Sequence, residues 1–381
     1  MQLRLPDLSN LPTLPSPRNL PPRVLRLLIG CTALFVLVIT TVTLVVSSFH
    51  GSSDRGGALA TQSEGHNVTF PLEPELMSPS NAWWTTEQQE IKFAYAQYAT
   101  TLDYLCNAII NFNRLRRYGA KHDLVLIFPT SWTEGKSTEA KAINFIRINL
   151  PQIKLRPFDV ISTMKGDATW RDSLTKFHCF ALTEWSRVLA FDSDSQVLNS
   201  MDHYFLSPMA PVAVPRAYWL TDNDADIGKQ ILGSHVMLIE PNEARYHKVM
   251  DEALKSGDFD MEVINHMFKD SAMILPHRRL ALLTGEFRSK DHSRYMAPDV
   301  DEEWNAMGEV SRAVLVHFSD WPLPKPWKPR SKKLWEETMP ECDENDMGAP
   351  DRPPCDNRMM WTGFYSEYER DREHICADLL A

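Results

Sequence analysis

Strand-like and helix-like segments alternate between residues 93 and 191, and this alternation limits the possible folds more than any other feature of the chain. Apolar runs of strand length are predicted at 93–98, 124–128, 154–160 and 188–191, and helices at 104–115, 140–148 and 174–182. Parallel strands need long crossover connections, which are usually helices, and a sheet built this way is covered on both faces. The alternation therefore predicts an α/β domain with a mainly parallel central sheet.

The second half of the chain has a less regular pattern. Short strands are predicted at 211–214, 235–239 and 313–318, and helices at 244–256 and 261–269. The strand at 313–318 carries His317 near its end and leads into a loop from Trp321 to Trp327, in which prolines restrict the backbone on either side of Lys325. Residues 336–381 are acidic and contain several prolines, and we expect them to add little to the core.

Composition excludes some classes of function. The chain has 381 residues, of which 43% are hydrophobic, so it can bury a large core. Its formal net charge is −10 and it has no long block of lysine or arginine. Nucleic-acid-binding proteins need a basic face against the phosphates, and we therefore expect no nucleic-acid partner.

The N-terminal region predicts a membrane anchor. Residues 27–49 contain no charged side chain, which matches the roughly 20 apolar residues of a transmembrane helix. The alternative is a cleaved or buried segment, although a cleaved signal peptide has a shorter apolar centre of about 7 to 15 residues. Four arginines precede the run, so the positive-inside rule places residues 1–26 in the cytoplasm as a tail and the rest across the membrane. Residues 50–88 then form a lumenal stem.

Two further patterns bear on this topology. Asn67-Val68-Thr69 fits the acceptor pattern for N-glycosylation and follows the predicted span. Cys106 and Cys179 lie in apolar helical contexts, where a buried free thiol is expected. The remaining cysteines beyond the span can pair in an oxidising lumen with a connectivity that stays open, and they are Cys342, Cys355 and Cys376.

Asp192-Ser193-Asp194 is the main candidate for chemistry. The chain contains five Asp-x-Asp matches, but this one alone ends a strand-like apolar run, Val188 to Phe191. Side chains two residues apart on a strand share a face, so both carboxylates can reach one divalent cation. A hard cation at the carboxyl end of a strand is one way in which an α/β protein binds a pyrophosphate.

Two ordered groups of motifs resemble glycosyltransferase family 8. One runs from Leu174 to Leu198 and contains the acidic motif, and the other joins His317-Phe318 to Lys325-Pro326-Trp327. Across residues 91–330 the chain is most similar to fungal membrane-anchored N-acetylglucosaminyltransferases and glycogenin-like members. The resemblance implies a Rossmann-like nucleotide-diphospho-sugar transferase fold of the GT-A type. It makes residues 89–335 the catalytic domain and residues 336–381 a C-terminal extension.

The resemblance also assigns roles to individual residues. It implies a Mn²⁺ site on the diphosphate of a UDP-sugar, with the ligands Asp192, Asp194 and His317. It implies catalytic roles for Asp260, as a hydrogen-bond partner of the donor sugar, and for Lys325, beside the phosphates. The implied UDP-sugar-binding residues are Ala99, Thr100, Tyr104, Lys176, Asp192, Ser193, Asp194 and Lys325.

Three departures from the family pattern affect the expected pocket. Met261 replaces the glutamine of the family's Asp-Gln-x-x-x-Asn helix, which here runs from Asp260 to Asn265. Gly233-Ser234-His235 stands where the family often has Asn-Ser-Gly. Ser319-Asp320 stands where a glycine is expected near the phosphates.

Together these features predict a Mn²⁺-dependent retaining glycosyltransferase. It would be a single-pass type II Golgi membrane protein that transfers a sugar, best matched by N-acetylglucosamine, from a UDP-sugar to a glycan or glycoprotein in the lumen. Glucosyl-, galactosyl- and glucuronosyl-transfer are alternatives, as is a non-catalytic membrane-anchored glycan-binding protein. A metal-dependent hydrolase or phosphotransferase is less well supported because the chain has no P-loop. The sequence leaves the oligomeric state open.

Overall fold

The computed structural model describes residues 91–163, 171–220, 230–299, 301–342 and 355–379. The predicted tail, span and stem, and the predicted glycosylation site at Asn67, lie outside the described residues. Within these ranges the structure contains no helix with the length and apolar character needed to cross a bilayer. The predicted domain boundaries therefore stay predictions.

Seven of the strands match the predicted ones to within a few residues, and three short strands, at 195–197, 273–275 and 282–283, were not predicted. In chain order the strands are β1 Phe93–Tyr98, β2 Asp123–Pro129, β3 Ile153–Phe158, β4 Arg187–Phe191, β5 Ser195–Val197, β6 Val212–Pro215, β7 Val236–Ile239, β8 Met273–Leu275, β9 Leu282–Leu283 and β10 Leu315–His317. In the described part of the chain, seven of them form one sheet in the order β3-β2-β1-β4-β7-β6-β8. The other three form a small sheet in the order β5-β10-β9.

The large sheet is mixed but mostly parallel. Strand β7 is antiparallel to both of its neighbours, β4 and β6, whereas every other neighbouring pair in this sheet is parallel. The prediction of a mainly parallel sheet is therefore confirmed, with β7 as the exception. Strands β4 and β6 consequently run in the same direction, and their carboxyl ends lie at the same edge of the sheet.

Both faces of the large sheet are buried, as the sequence predicted. Along β4, Leu189 and Phe191 contact one hydrophobic cluster, while Val188 and Ala190 contact the other. Alternate residues of a strand point to opposite faces, so a strand buried on both faces is apolar throughout. This explains why residues 188–191 carry no polar residue before the sheet edge.

The helices cover these two faces. They are α1 Leu102–Arg117, α2 Thr138–Asn149, α3 Glu243–Ser256, α4 Asp260–Phe268, α5 Ser293–Met296, α6 Ala306–Arg312, α7 Lys332–Thr338 and α8 Asp356–Ile375. Local capping fixes several starts: the side chain of Thr101 accepts a hydrogen bond at the start of α1, and Asn242 does so at the start of α3. The segment predicted as a helix at 174–182 is a 3₁₀ helix, Ser173–Ala181, in which eight of the nine residues are buried.

The C-terminal segment belongs to the core, contrary to our expectation. Helix α8 buries Trp361, Phe364, Tyr365 and Tyr368 in the same cluster as α1. These aromatic residues recur at helical spacing, but the acidic and proline-containing sequence around them hides the signal.

A disulfide joins the two ends of the described chain. Cys106 of α1 pairs with Cys376, so the predicted free thiol at Cys106 is wrong. Its apolar surroundings indicated burial correctly, but burial does not distinguish a thiol from a disulfide. Cys342 pairs with Cys355, and Cys179 is a buried free thiol as predicted.

The small sheet places the predicted histidine. Strand β10 pairs antiparallel with β5, and His317 lies opposite Ser195 in this register. Strand β5 begins directly after the acidic motif. The pairing therefore brings His317 beside Asp194 although 123 residues separate them in the chain.

Candidate active site

Two carboxylates and one imidazole meet at the carboxyl end of β4. One ligand atom from each of Asp192, Asp194 and His317 can be chosen so that all three lie within 4.8 Å of one another. His317 Nε2 lies 3.1 Å from Asp194 Oδ1, and His317 Nδ1 is buried without a hydrogen-bond partner among the described residues. Two carboxylates and an imidazole suit a divalent cation, and the imidazole makes Mn²⁺ a better match than Mg²⁺. The residues present therefore fit the predicted metal.

Lys325 completes the surroundings of Asp194. Its Nζ lies 2.7 Å from Asp194 Oδ2 and also donates to the carbonyl of Phe318, which fixes the ammonium group. Burial alone raises the pKa of Asp194, but the positive charge available from His317 and Lys325 outweighs it and holds this pKa well below the ordinary value. The carboxylate of Asp194 therefore stays ionised.

Lys176 bridges two other carboxylates. Its Nζ lies 2.6 Å from Asp192 Oδ1 and 2.8 Å from Asp260 Oδ2, and it is almost fully buried. Burial raises the pKa of Asp192 to about 6, with Lys176 partly offsetting this effect. The resemblance assigns the positive charge of Lys176 to the phosphates of the donor, and in this structure two aspartates already share that charge.

Asp260 is the first residue of α4 and faces the same cluster. Ser234 Oγ donates a hydrogen bond of 2.5 Å to Asp260 Oδ2. Burial opposes the ionisation of Asp260, but the positive charge of Lys176 and the hydrogen bonds from Lys176 and Ser234 outweigh it and lower the pKa of Asp260. When His317 is neutral, as a metal ligand must be, Asp192, Asp194 and Asp260 carry three negative charges against two positive charges from Lys176 and Lys325. The cluster in that state keeps one net negative charge that can attract a cation.

The three aspartates, Lys176 and His317 form part of the wall of a cavity of about 920 Å³. Tyr104 also lines this cavity, and its ring packs edge-on against Trp327 with centroids 5.4 Å apart. Ala99 is fully buried, and neither it nor Thr100 lines the cavity. Of the predicted base-binding segment, the structure thus brings only Tyr104 to the cavity.

Ser193 has a structural role in the acidic motif. Its hydroxyl donates 2.8 Å to the carbonyl of Tyr98, the last residue of β1. This bond ties the ends of β1 and β4 together at the point where Asp192 and Asp194 leave the sheet. Tyr98 itself lines the cavity, and sequence reasoning missed it although it ends a predicted strand.

The departure at Gly233-Ser234-His235 has a structural reason. A side chain at Gly233 would place its Cβ 3.1 Å from the ring of His235, which is tighter than most such contacts. The His235 ring is buried 5.7 Å from that of His317, and burial lowers the pKa of His235 to about 3, so the ring is neutral. Ser234 supplies the hydrogen bond to Asp260, a role that no sequence signal indicated.

The helix that resembles the family's sugar-binding helix divides its residues between two tasks. Asn265 does not line the cavity; its side chain accepts from Leu232 N at 2.8 Å and donates to Leu232 O at 2.9 Å. It thereby holds the segment that carries Ser234. Met261 and Asp260 line the cavity, so the glutamine position of the family is apolar here.

Several other residues that line the cavity were not predicted as part of the site. They include Trp219, Glu286, Asp291 and Arg294. Glu286 is buried and accepts from His292 at 2.7 Å. This mixture of an aromatic ring and charged groups is suited to a polar ligand with an apolar face.

Curated relatives share most of this chain. The protein named glucose N-acetyltransferase 1 of Gibberella zeae is 39% identical over 291 residues, which cover 75% of this chain and 62% of that protein. The protein of the same name from Aspergillus fumigatus is 35% identical over 304 residues, covering 75% and 77% respectively. No protein-family model matches the chain.

Among solved structures, the galactosyltransferase LgtC in complex with donor and acceptor sugar analogues matches with 13% sequence identity and a TM-score of 0.47. The match covers 64% of this chain and 93% of LgtC, and a likeness of this size does not carry a function over. The sequence relatives are decisive, because both share a third or more of their aligned residues with this chain. The chain belongs to the glucose N-acetyltransferase 1 family, in agreement with the resemblance to fungal N-acetylglucosaminyltransferases.

Proposed function

We propose that the protein is a Mn²⁺-dependent glycosyltransferase that transfers N-acetylglucosamine from its UDP-sugar to a glycan. The observation that carries this proposal is the convergence of three aspartates, Lys176 and a histidine on the wall of a cavity of about 920 Å³. Lys325 does not line this cavity and reaches the group through Asp194. The names of the relatives support sugar transfer. The GT-A type of the fold, the Golgi location and the type II membrane anchor belong to the same proposal and rest on the resemblance and the N-terminal sequence.

The metal role rests on the donor set described above. Asp192, Asp194 and His317 would hold the cation, which when bound supplies Lewis-acid neutralisation of the diphosphate. Lys325 adds a fixed positive charge next to Asp194. A preorganised charge of this kind stabilises a leaving diphosphate because it needs no reorganisation when the bond to the sugar breaks.

Asp260 acts in this proposal as a hydrogen-bond acceptor for the donor sugar. Its carboxylate is ionised, and the bonds from Lys176 and Ser234 hold it in one orientation. Both bonds go to Oδ2, and because they lower the pKa of the carboxyl group they also make Asp260 a weaker nucleophile. Retention of configuration then fits a front-side transfer, in which the acceptor hydroxyl passes its proton to the leaving diphosphate and the protein supplies no covalent intermediate.

The wall with Trp219, Glu286 and Arg294 is the proposed acceptor side. An aromatic ring can stack on a sugar face, and charged groups bind hydroxyls. A glycan that lies against this wall would present a hydroxyl to the sugar held near Asp260. The cavity volume of about 920 Å³ lies at the upper end of the range of about 300–1,000 Å³ that is typical of small-molecule pockets.

Replacement of Asp192 tests the proposal. We expect Asp192→Ala to abolish sugar transfer while the cooperative unfolding transition persists, because the ligand is lost but both faces of the sheet stay packed. Mass spectrometry of reactions with UDP-N-acetylglucosamine, UDP-glucose, UDP-galactose and UDP-glucuronate, each with Mn²⁺ and a mixed glycan acceptor, measures the transfer. Asp270→Ala removes an exposed carboxylate and serves as the matched control.

The same screen separates the alternatives. Transfer from another UDP-sugar would correct the donor but keep the reaction class. Full activity of Asp192→Ala, or full activity with excess chelator, would show that the metal role is wrong. Absence of transfer and of UDP release from every donor by the unaltered protein would favour a glycan-binding protein over an enzyme.

A further inference from the structure

A second cavity, of about 480 Å³, lies next to the proposed active site. Its wall includes Arg216 directly after β6, residues 274–279 from the end of β8 onward, and residues 297–299. The ends of β6 and β8 lie at the sheet edge that carries the acidic motif. The rings of Tyr218 and His277 stack with centroids 5.1 Å apart. Tyr218 lines the first cavity and His277 lines the second, so this pair separates the two.

Arg216 lines this second cavity and forms no ion pair with a carboxylate among the described residues. Its Nη2 lies 3.3 Å from Nδ1 of His277. His277 Nε2 lies 2.9 Å from the carbonyl of Tyr295 and must donate to it, so Nδ1 carries the lone pair and accepts from Arg216. The neutral imidazole therefore orients the guanidinium but does not neutralise it.

Arg279 is the second arginine that lines this cavity and has no ion-pair partner among the described residues. Its side chain lines the cavity and forms neither a hydrogen bond nor an ion pair within the described part of the chain, and its Nε is buried without a partner. Its backbone has φ of 73°, in the left-handed region that a long side chain rarely adopts. Two backbone bonds hold it there: Arg279 N donates to the Tyr295 hydroxyl at 3.1 Å, and Val314 N donates to Arg279 O at 2.8 Å. A costly backbone conformation that is fixed from two sides is typical of functional positions.

The nearby carboxylates are occupied by another arginine. Arg278 pairs with Asp299 at 3.3 Å, with Glu302, and with Glu309 at 2.8 Å. Glu309 also binds Arg312. Asp299 lines the cavity too, but its contact goes to Arg278. Among the described residues, neither Arg216 nor Arg279 forms an ion pair with a carboxylate, although the charge of Arg279 acts at longer range on Glu309.

We propose that the second cavity binds an anionic group, a phosphate or a carboxylate, between Arg216 and Arg279. Planar guanidinium groups bind such oxyanions through paired, charge-assisted hydrogen bonds. The group is either free in solution or carried by a sugar, and the cavity is large enough for one sugar unit with its charged substituent. This site is separate from the proposed metal cluster and does not depend on the proposed reaction.

Calorimetric titration of the full-length chain tests the proposal without any turnover. The probes are inorganic phosphate, glucose 6-phosphate and glucuronate, with uncharged glucose as the comparison, at constant ionic strength and with chelator present. We expect saturable binding of at least one anionic probe and none of glucose. Tighter binding of glucose 6-phosphate than of phosphate assigns the anion to a sugar, and equal binding assigns it to free phosphate.

Variants locate the binding in the second cavity. Arg216→Gln and Arg279→Asn should each weaken it about tenfold or more, since each removes charge-assisted hydrogen bonds, and asparagine tolerates the left-handed backbone. Arg279→Lys keeps the charge but loses the paired hydrogen bonds, so it should weaken binding less than Arg279→Asn does. Lys333→Gln removes an exposed charge elsewhere and should change nothing.

Two outcomes would overturn the inference: no saturable binding of any anionic probe, or unchanged binding in the double variant of Arg216 and Arg279. Circular dichroism confirms that each variant is folded, and if Arg279→Asn is not, Arg216→Gln and Arg279→Lys still decide the question. Sugar transfer is measured separately, so failure of the anion site and failure of the proposed reaction are distinguishable.

Discussion

Replacing Lys176 tests whether its positive charge stabilises the buried carboxylates of Asp192 and Asp260. It lies 2.6 Å from Asp192 and 2.8 Å from Asp260, and its side chain is only 4% exposed. Lys176→Met keeps the volume but leaves two buried carboxylates without their cation. Removing one partner of a buried ion pair costs about 3–5 kcal/mol, and we expect this loss in the free energy of unfolding at pH 7.5 with chelator present.

The pH dependence of that loss follows from Asp192. Its pKa is already raised to about 6, against an ordinary value of 3.8, and removal of Lys176 raises it further. A carboxyl group whose pKa is raised in the folded state favours folding when it is protonated. The loss in the free energy of unfolding that this group causes is therefore smallest at low pH and grows as the pH rises through the folded pKa. The stability deficit of Lys176→Met should therefore shrink between pH 7.5 and pH 5.5.

Urea unfolding followed by circular dichroism at these two pH values measures both effects. Lys333→Met is the matched control, because Lys333 is 83% exposed and its partner Glu337 lies 3.7 Å away. An exposed pair of this kind contributes at most about 0.5 kcal/mol. A deficit for Lys176→Met below about 1 kcal/mol at pH 7.5, or one that grows toward pH 5.5, would refute the electrostatic reasoning.

Three further changes test other parts of the structure. Replacing Cys106 and Cys376 together by serine should lower the free energy of unfolding by about 2–5 kcal/mol, because the bond closes a loop of 270 residues; urea unfolding without reductant measures it. His277→Gln should make the free energy of unfolding less dependent on pH in acid. Burial lowers the pKa of His277 to about 4, so the unfolded state binds a proton before the folded state does as the pH falls. The unaltered protein therefore loses about 3 kcal/mol of stability as the pH falls from about 6.5 to 4. Gly233→Ala should press its Cβ against the His235 ring, costing about 1–3 kcal/mol in urea unfolding and reducing sugar transfer measured in parallel; unchanged transfer would show that this ring position is not needed.

The sequence predicted the parts of the fold that depend on local periodicity. The strand at Val188 to Phe191 is apolar at every position because both faces of the sheet are covered, and this pattern needs no knowledge of distant contacts. The same pattern selected the Asp-x-Asp motif that lies beside His317 in the structure. The grouping of Asp192, Asp194 and His317, which the family resemblance implied, matches the geometry because β10 pairs with the strand that follows the acidic motif.

The unpredicted parts depend on contacts between distant segments. Lys176 contacts Asp260 across 84 residues, so its bridging position cannot be read from either neighbourhood. Ser234 enters the site because Asn265 fixes the backbone of Leu232, again through a contact that leaves no periodic signal. The same reason explains why the role of helix α8 was missed.

Helix α8 imposes an order on biosynthesis. Asp371 forms an ion pair with Arg114 at 2.6 Å, and the Tyr365 hydroxyl donates 2.9 Å to Asp320, just before the loop that carries Lys325. A chain synthesised from its N-terminus exposes the apolar side of α1 for the time needed to make about 250 further residues. The ribosome must therefore release nearly the whole chain before the Lys325 loop is supported. Premature termination just upstream of α8 would leave a product that keeps Asp192, Asp194 and His317 but lacks the hydrogen bond from Tyr365 to Asp320 beside the lysine loop.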